Sequence, residues 1–117
     1  MSKKDQTWKI GEGAAKEYLE NKGYEIIERN YRTRYLEIDL VAQKDNVLAL
    51  VEVRTKTSGD FVTPEESITP KKLKKLYWNA EAYVSAKKWK GDYRVDAICI
   101  ELGLDDKIKR LEHYQGI

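Results

Sequence analysis

Two apolar runs on either side of a polar turn constrain the fold of this chain more than any other feature. The first run covers residues 36–42 and the second covers residues 47–56, with Lys44, Asp45 and Asn46 between them. Val, Ile and Leu suit the pleated surface of a sheet, and Asn tolerates the backbone of a tight turn. The pattern therefore predicts a β-hairpin in the middle of the chain.

Both predicted strands carry an acid where a core residue is expected. Asp39 stands between isoleucine and leucine, and Glu52 stands between two valines. A buried carboxylate is costly unless it is paired, protonated or bound to a metal. Side chains alternate faces along a strand, so Glu52, Arg54 and Lys56 share one face of the second strand, and Glu37 shares a face with Asp39.

A register that brings Asp39 beside Glu52 would place two like charges together, and a cation between them would relieve the repulsion. Carboxylate oxygens suit Mg²⁺ or Mn²⁺, which need few protein ligands and fill their remaining positions with water and substrate phosphate. The sequence therefore predicts a metal site at these two acids. An Asp, a turn and then Glu-x-basic is also the pattern of the PD-(D/E)xK nuclease fold.

Several segments carry a resemblance to one family. They are Gly11-Glu12-x-x-Ala15, Gly23-Tyr24, Arg-Asn-Tyr-Arg at residues 29–32, Glu-Ile-Asp-Leu-Val-Ala at residues 37–42 and Leu-Val-Glu-Val-Arg at residues 50–54. In this order and spacing the chain resembles the YraN-like proteins, an uncharacterised bacterial family. The fold of that family resembles archaeal Holliday-junction resolvases and other restriction-endonuclease-like enzymes.

The expected fold is α/β, with a mixed sheet between two main helices in the order α-β-β-β-α-β-β. Patterning supports the element order, whereas the restriction-endonuclease-like sheet is implied by the resemblance. Apolar residues at helical spacing predict a first helix that begins after Asp5 or Thr7 and ends near residue 21. Thr69 as N-cap predicts a second helix over residues 70–89. Further strands are predicted at residues 23–28, 93–100 and 108–114, within a single domain spanning residues 1–117.

The resemblance implies a Mg²⁺-dependent (or Mn²⁺-dependent) DNA endonuclease that acts on branched or structured DNA. Asp39 and Glu52 would hold the ion, helped by the main-chain carbonyl of Val53. Arg54 stands where the family usually has Lys. A guanidinium stays protonated, so it can bind phosphate but cannot serve as a general base. Arg54 is therefore expected to act as an electrostatic clamp, with Lys56 as the second choice for the catalytic cation.

Glu12 has two interpretations. Its position on the first helix predicts that its carboxylate points towards the sheet. The simpler interpretation is a first-turn glutamate stabilised by the helix dipole. The resemblance instead implies that Glu12 is the third acid of the site, where it would bind a second metal or orient the attacking water.

Basic residues concentrate in two places. The segment at residues 29–34 interleaves arginines with tyrosines, which suits phosphate binding and base stacking, although a solvated loop paired with Glu28 and Glu37 is an equal alternative. The polar face of the second helix carries mainly positive charge, and binding of a polyanion would relieve the repulsion between its lysines. The alternative is that this face only keeps the protein in solution. The predicted nucleic-acid contacts are Arg29, Arg32, Arg34, Lys71, Lys72, Lys74 and Lys75.

Composition narrows the remaining classes. There are 22 basic and 20 acidic residues, and a net charge of +2 is too small to indicate nucleic-acid binding by itself. The single cysteine, Cys99, is expected to fill part of the core, and the single histidine, His113, is expected to be exposed. One cysteine and one histidine do not make a set of zinc ligands, so no zinc site is predicted. No apolar run approaches the ~20 residues of a membrane span, and the N-terminus lacks an apolar signal core. A cytoplasmic location without a membrane partner is expected.

A long aperiodic segment follows the second strand, from residue 57 to residue 68. It is expected to rim the site, with Phe61 as its anchor. Resolvase-like enzymes work as two-fold dimers, which implies a homodimer, and Trp78 or Trp89 would mark its interface if exposed.

Two other functions remain open. One is a non-catalytic nucleic-acid-binding module, in which the two acids form an ion-pair network with Arg54, Lys56 and Arg29. The other is an interaction adaptor that retains a nuclease fold.

Overall fold

Five strands form one mixed sheet with a helix packed on each face, in a computed structural model that describes all 117 residues. The elements are α1 (Lys3–Asn21), β1 (Glu25–Arg32), β2 (Glu37–Lys44), β3 (Val47–Thr57), α2 (Pro70–Ala86), β4 (Asp92–Leu102) and β5 (Ile108–Tyr114), with a short 3-10 turn at Glu65–Ser67 before α2. The predicted order α-β-β-β-α-β-β is confirmed, and it is that of a restriction-endonuclease-like core.

The spatial order of the strands equals their order in the chain. β1, β2 and β3 form an antiparallel meander, β4 pairs with β3 in parallel, and β5 returns antiparallel to β4. The parallel pair needs a crossover, which α2 supplies. Asp45 and Asn46 both have positive φ, at 52° and 62°, so the hairpin turn falls where the sequence predicts it.

Each face of the sheet buries its own apolar cluster. Ala15 and Leu19 of α1 pack on one side, and Leu76, Ala80 and Tyr83 of α2 pack on the other. The central strands alternate between the two clusters because successive side chains point to opposite faces. The two helices therefore fix which residues of β2 and β3 reach each side. Neither helix has an apolar stretch of the length needed to cross a lipid bilayer.

Three predicted boundaries differ from the structure. The cap of α1 is Ser2, whose Oγ accepts a hydrogen bond from the Asp5 N–H at 3.1 Å, so α1 starts earlier than expected. β1 continues to Arg32, which places Arg29 and Arg32 of the arginine segment on a strand. α2 ends at Ala86, because Lys88 turns to a φ of 55° and the indole of Trp89 donates to the Asp92 carbonyl.

Two side-chain predictions are wrong. His113 is buried, with 4% of its side chain exposed, because its ring lies 2.9 Å from Asp96 Oδ2 and 3.2 Å from the Tyr18 hydroxyl. Sequence spacing gave no sign of this contact between β4, β5 and α1. Phe61 anchors nothing, since its side chain is fully exposed. Of the two tryptophans, Trp78 is exposed and Trp89 packs against the α2 cluster.

Candidate active site

The strands β2 and β3 stop pairing where the two acids stand. Their regular register ends at Leu40 and Val51. Beyond this pair, the Val53 N–H donates to Asp39 Oδ2 at 2.8 Å. The Asp39 carboxylate thus serves as the acceptor for a β3 N–H beyond the point where β2 and β3 stop pairing. This contact fixes Asp39 against β3 beside Glu52.

Glu52 is held by two cations. Its Oε2 lies 3.4 Å from Arg54 Nη1 on the same strand and 3.4 Å from Lys72 Nζ in the first turn of α2. Glu52 is 7% exposed and Asp39 is 8% exposed, so both carboxylates are almost removed from water. Glu52 therefore has two charge partners, whereas Asp39 has one main-chain donor and no ion pair.

Both acids line one cavity of about 120 Å³. Arg54, Lys72 and Lys75 contribute to the same cavity, as does Trp8 of α1. The two carboxylates therefore open into the same space, as a shared metal site requires. Val53, the third predicted ligand, also lines this cavity.

The protonation of Asp39 reflects this crowding. Burial and then the negative charge of Glu52 raise its pKa to about 8, although the Val53 N–H opposes the shift. Two neighbouring carboxylates in a low-dielectric site cannot both ionise easily. Without a bound metal ion, Asp39 therefore holds a proton at neutral pH.

The donor set fits a hard divalent ion. Asp39 and Glu52 offer carboxylate oxygens only, and Asp39 Oδ2 accepts the Val53 N–H. No group of three or more His, Cys, Asp or Glu residues stands close enough to hold a metal. An ion at this site would complete its coordination shell with water and substrate phosphate, as Mg²⁺ usually does in proteins.

Glu12 lies in the interior of α1, not in its first turn, so the helix-dipole interpretation is wrong. It is 2% exposed and neither carboxylate oxygen has a hydrogen-bond partner. Burial raises its pKa to about 6, against the lowering effect of Arg29. Glu12 does not line the cavity of the two acids. Its charge nevertheless contributes to the raised pKa of Asp39.

A close helix contact sets the depth of Glu12. A Cβ atom on Gly11 would stand 1.8 Å from the Thr55 Oγ1, so only glycine lets α1 run this close to β3. The next residue is thereby pressed into the interior. The predicted orientation of Glu12 towards the sheet is confirmed by its burial.

The two basic residues of β3 occupy different places. Arg54 lines the acid cavity, and its Nε donates to Ser67 Oγ at 2.8 Å. Lys56 lines a neighbouring groove and does not reach the acid cavity. Lys72, which the sequence indicated only as a nucleic-acid contact, is the lysine beside Glu52. No sequence pattern could find it, because the contact depends on how α2 lies across the sheet.

The other predicted nucleic-acid contacts fall into two groups. Arg32 pairs with Glu37 at 2.9 Å, as the solvated-loop interpretation expects, whereas Arg29 and Arg34 form no ion pair with an acid. Glu28 is taken instead by Lys87 and the Tyr83 hydroxyl. On α2, the residues Lys71, Lys74 and Lys75 form no ion pair and line a shallow surface depression with Trp78. This lysine face adjoins the acid cavity through Lys72 and Lys75.

The mixed sheet, its flanking helices and the acids at the diverging strands together define a restriction-endonuclease-like domain. Comparison with known proteins places the chain more narrowly. The family described as uncharacterised protein family UPF0102 matches residues 11–100. The chain therefore belongs to this family, and the resemblance to YraN-like proteins is confirmed.

Relatives from distant bacteria carry the same family name. A UPF0102 protein of Persephonella marina is 45% identical over 93 residues, covering 79% of this chain and 80% of its own. One from Flavobacterium psychrophilum is 34% identical over 115 residues, covering 98% of this chain and 95% of its own. A UPF0102 protein of Syntrophomonas wolfei is 47% identical over 76 residues, covering 65% of this chain and 66% of its own.

Proposed function

We propose that this protein is a metal-dependent DNA endonuclease that acts on branched or structured DNA. One observation carries the proposal: two buried carboxylates from neighbouring strands open into one small cavity, with cations beside them. Purely structural acids are normally neutralised in full by the protein. Here Asp39 accepts one main-chain hydrogen bond and forms no ion pair, and its pKa is raised to about 8, a shift that an added cation would reverse.

Asp39 and Glu52 would hold Mg²⁺ or Mn²⁺. When bound, such an ion lowers the pKa of a coordinated water and neutralises charge on the scissile phosphate. Arg54, oriented by Ser67 and Glu52, is placed to fork onto a phosphate oxygen. Lys72 adds a second positive charge at the same acid.

The lysine face of α2 would hold the flanking backbone. Lys71, Lys74 and Lys75 have no acid partners, so contact with phosphates would release counterions without breaking an ion pair. The face leads directly to the acid cavity, since Lys75 lines both. Cutting both strands of a branched substrate needs two such sites, and the proposal therefore includes a homodimer on DNA.

The test is a nicking assay on duplex, flap and four-way DNA with Mg²⁺ or Mn²⁺. The wild-type protein should nick at least one branched substrate, whereas Asp39→Asn and Glu52→Gln should not. Glu17→Gln, which changes an exposed acid of α1, is the matched control and should nick normally. Equal activity in the wild-type protein and Glu52→Gln would point to a contaminating nuclease and refute the proposal.

A second candidate function is a nucleic-acid-binding module without chemistry. The supporting observation is that Glu52 already has two cationic partners, Arg54 and Lys72. Titration calorimetry with Mn²⁺ separates the two functions. An endonuclease site should bind the ion and lose it in Asp39→Asn, whereas a satisfied ion-pair network should bind none.

A further inference from the structure

A groove of about 610 Å³ lies beside the acid cavity. It runs between the start of α1 and the loop that follows β3. Trp8, Val53 and Arg54 line both the groove and the cavity, so the two spaces adjoin. A ligand in the groove therefore lies next to the site of the two carboxylates.

Two aromatic rings stand on the walls of this groove. Phe61 is fully exposed and Trp8 is 41% exposed. Phe61 is not on a loose segment: Thr57 and Asp60 close the preceding turn, since the Asp60 N–H donates to the Thr57 carbonyl and the Thr57 N–H donates to Asp60 Oδ2. An exposed phenylalanine presented by a hydrogen-bonded turn, with a tryptophan lining the same groove, is a typical stacking surface for a flat ligand.

The charge of the groove selects an anion. Lys4 and Lys56 line it and form no ion pair, and Arg54 adds a third positive charge at the end nearest the acids. Lys3 is already paired with Asp106 at 2.8 Å. The one acid of the lining, Asp60, is occupied by the turn that it closes. Aromatic faces interleaved with unpaired cations are the combination that binds single-stranded nucleic acid.

We propose that this groove binds a single-stranded segment of DNA next to the phosphate held at the acids. Bases stack on Phe61 and Trp8 while Lys4 and Lys56 contact the backbone. A duplex gains nothing here, because its bases are already stacked inside the helix. The inference rests on the proposed nuclease function for its orientation, and it assigns the substrate class as DNA with a single-stranded arm.

The test measures binding of a fluorescent oligothymidine by anisotropy in EDTA, so that neither metal nor cleavage is involved. Phe61→Ala should weaken binding about tenfold, within the range for loss of one base stack. Phe61→Leu should weaken it similarly, and Phe61→Tyr should bind like the wild-type protein. Because Phe61 touches nothing in the fold, these variants should all remain folded.

Matched controls lie at the opposite end of the sheet. Tyr93→Ala removes a partly exposed aromatic residue that pairs with Leu48 at the far end of β3, and it should not change binding. Lys4→Ala should reduce the slope of log affinity against log salt by about 0.7, whereas Lys90→Ala should leave it unchanged. Binding of a blunt duplex should be equal in the wild-type protein and Phe61→Ala.

Three results would overturn the inference: unchanged oligothymidine binding in Phe61→Ala, retained binding in Phe61→Leu, or an equal loss for duplex. None depends on catalysis. If the protein fails to bind Mn²⁺ or to nick DNA while Phe61→Ala still loses oligothymidine, the nuclease proposal fails and the groove stands. If the wild-type protein nicks DNA and Phe61→Ala binds oligothymidine as the wild-type protein does, the groove proposal is wrong and the nuclease proposal is unaffected.

Discussion

Lys72, in the first turn of α2, lies 3.4 Å from Glu52 Oε2 on β3. The contact exists because Thr69 caps α2 through a hydrogen bond from the Lys72 N–H to its Oγ1, which fixes where the helix begins over the sheet. A lysine from the helix thereby joins the acid pair, beside the arginine of the strand. The acids, Arg54 and Lys72 belong to the charged lining of the cavity, together with Glu37 and Lys75.

Replacing Lys72 by alanine should separate chemistry from metal binding. Loss of a cation that stabilises charge on the phosphate should slow nicking on the order of 100-fold, the scale of losing one electrostatic contact in an active site. Mn²⁺ affinity should hold or rise, because Glu52 loses a competing cation. Single-turnover nicking and calorimetry measure the two effects. Lys90→Ala is the surface control, and abolished Mn²⁺ binding in Lys72→Ala would contradict this role.

Arg54 and Lys56 should differ in importance. Arg54 lines the acid cavity, whereas Lys56 lines only the groove. Arg54→Ala should therefore reduce the nicking rate more than Lys56→Ala does, with both rates taken at saturating DNA. Ser67→Ala should give an intermediate loss, since it frees the guanidinium without removing it. If Arg54→Ala nicks normally and Lys56→Ala does not, the assignment of the clamp is wrong.

Metal binding should release a proton. The pKa of Asp39 is raised to about 8 by burial and by Glu52, so below that pH the ion must displace a proton from Asp39. Affinity for Mn²⁺ should rise about tenfold per pH unit and level off above about pH 8. Calorimetry in buffers of different ionisation enthalpy measures the proton directly. A pH-independent affinity would mean that Asp39 is already ionised.

Glu12 should make the fold less stable at alkaline pH. Its folded pKa of about 6 lies above its ordinary 4.5, so stability is full below about pH 4.5 and falls as the pH rises through 6. The cost of ionising it in the folded state is about 2 kcal/mol. In EDTA, Glu12→Gln should therefore be more stable than the wild-type protein at high pH and similar to it near pH 4.5.

Urea denaturation across this pH range measures the effect, with Glu17→Gln as the exposed control on the same helix. Should Glu12→Gln be less stable than the wild-type protein at every pH, the carboxylate has a partner that stabilises its charge. A metal that binds Glu12 would show the same signature only when Mn²⁺ is present. Repeating the titration with Mn²⁺ distinguishes these cases.

The sequence alone determined the features that depend on local chemistry. The Asp-Asn turn, the Thr-Pro start of α2 and the alternation that puts Glu52 and Arg54 on one face follow from backbone preferences and from the period of a strand. The acids within apolar runs already indicated a site, because a buried carboxylate demands a partner.

Tertiary structure alone decided which distant residues meet. Lys72 reaches Glu52, Trp8 reaches the acid cavity, and His113 is buried against Asp96, although nothing in the local sequence of any of them signals the contact. Each of these contacts depends on how a helix or an edge strand is placed on the sheet. That placement is fixed by the packing of whole apolar faces against one another. The periodicity of the sequence shows which residues form each face, but it does not show how one face is oriented on the next.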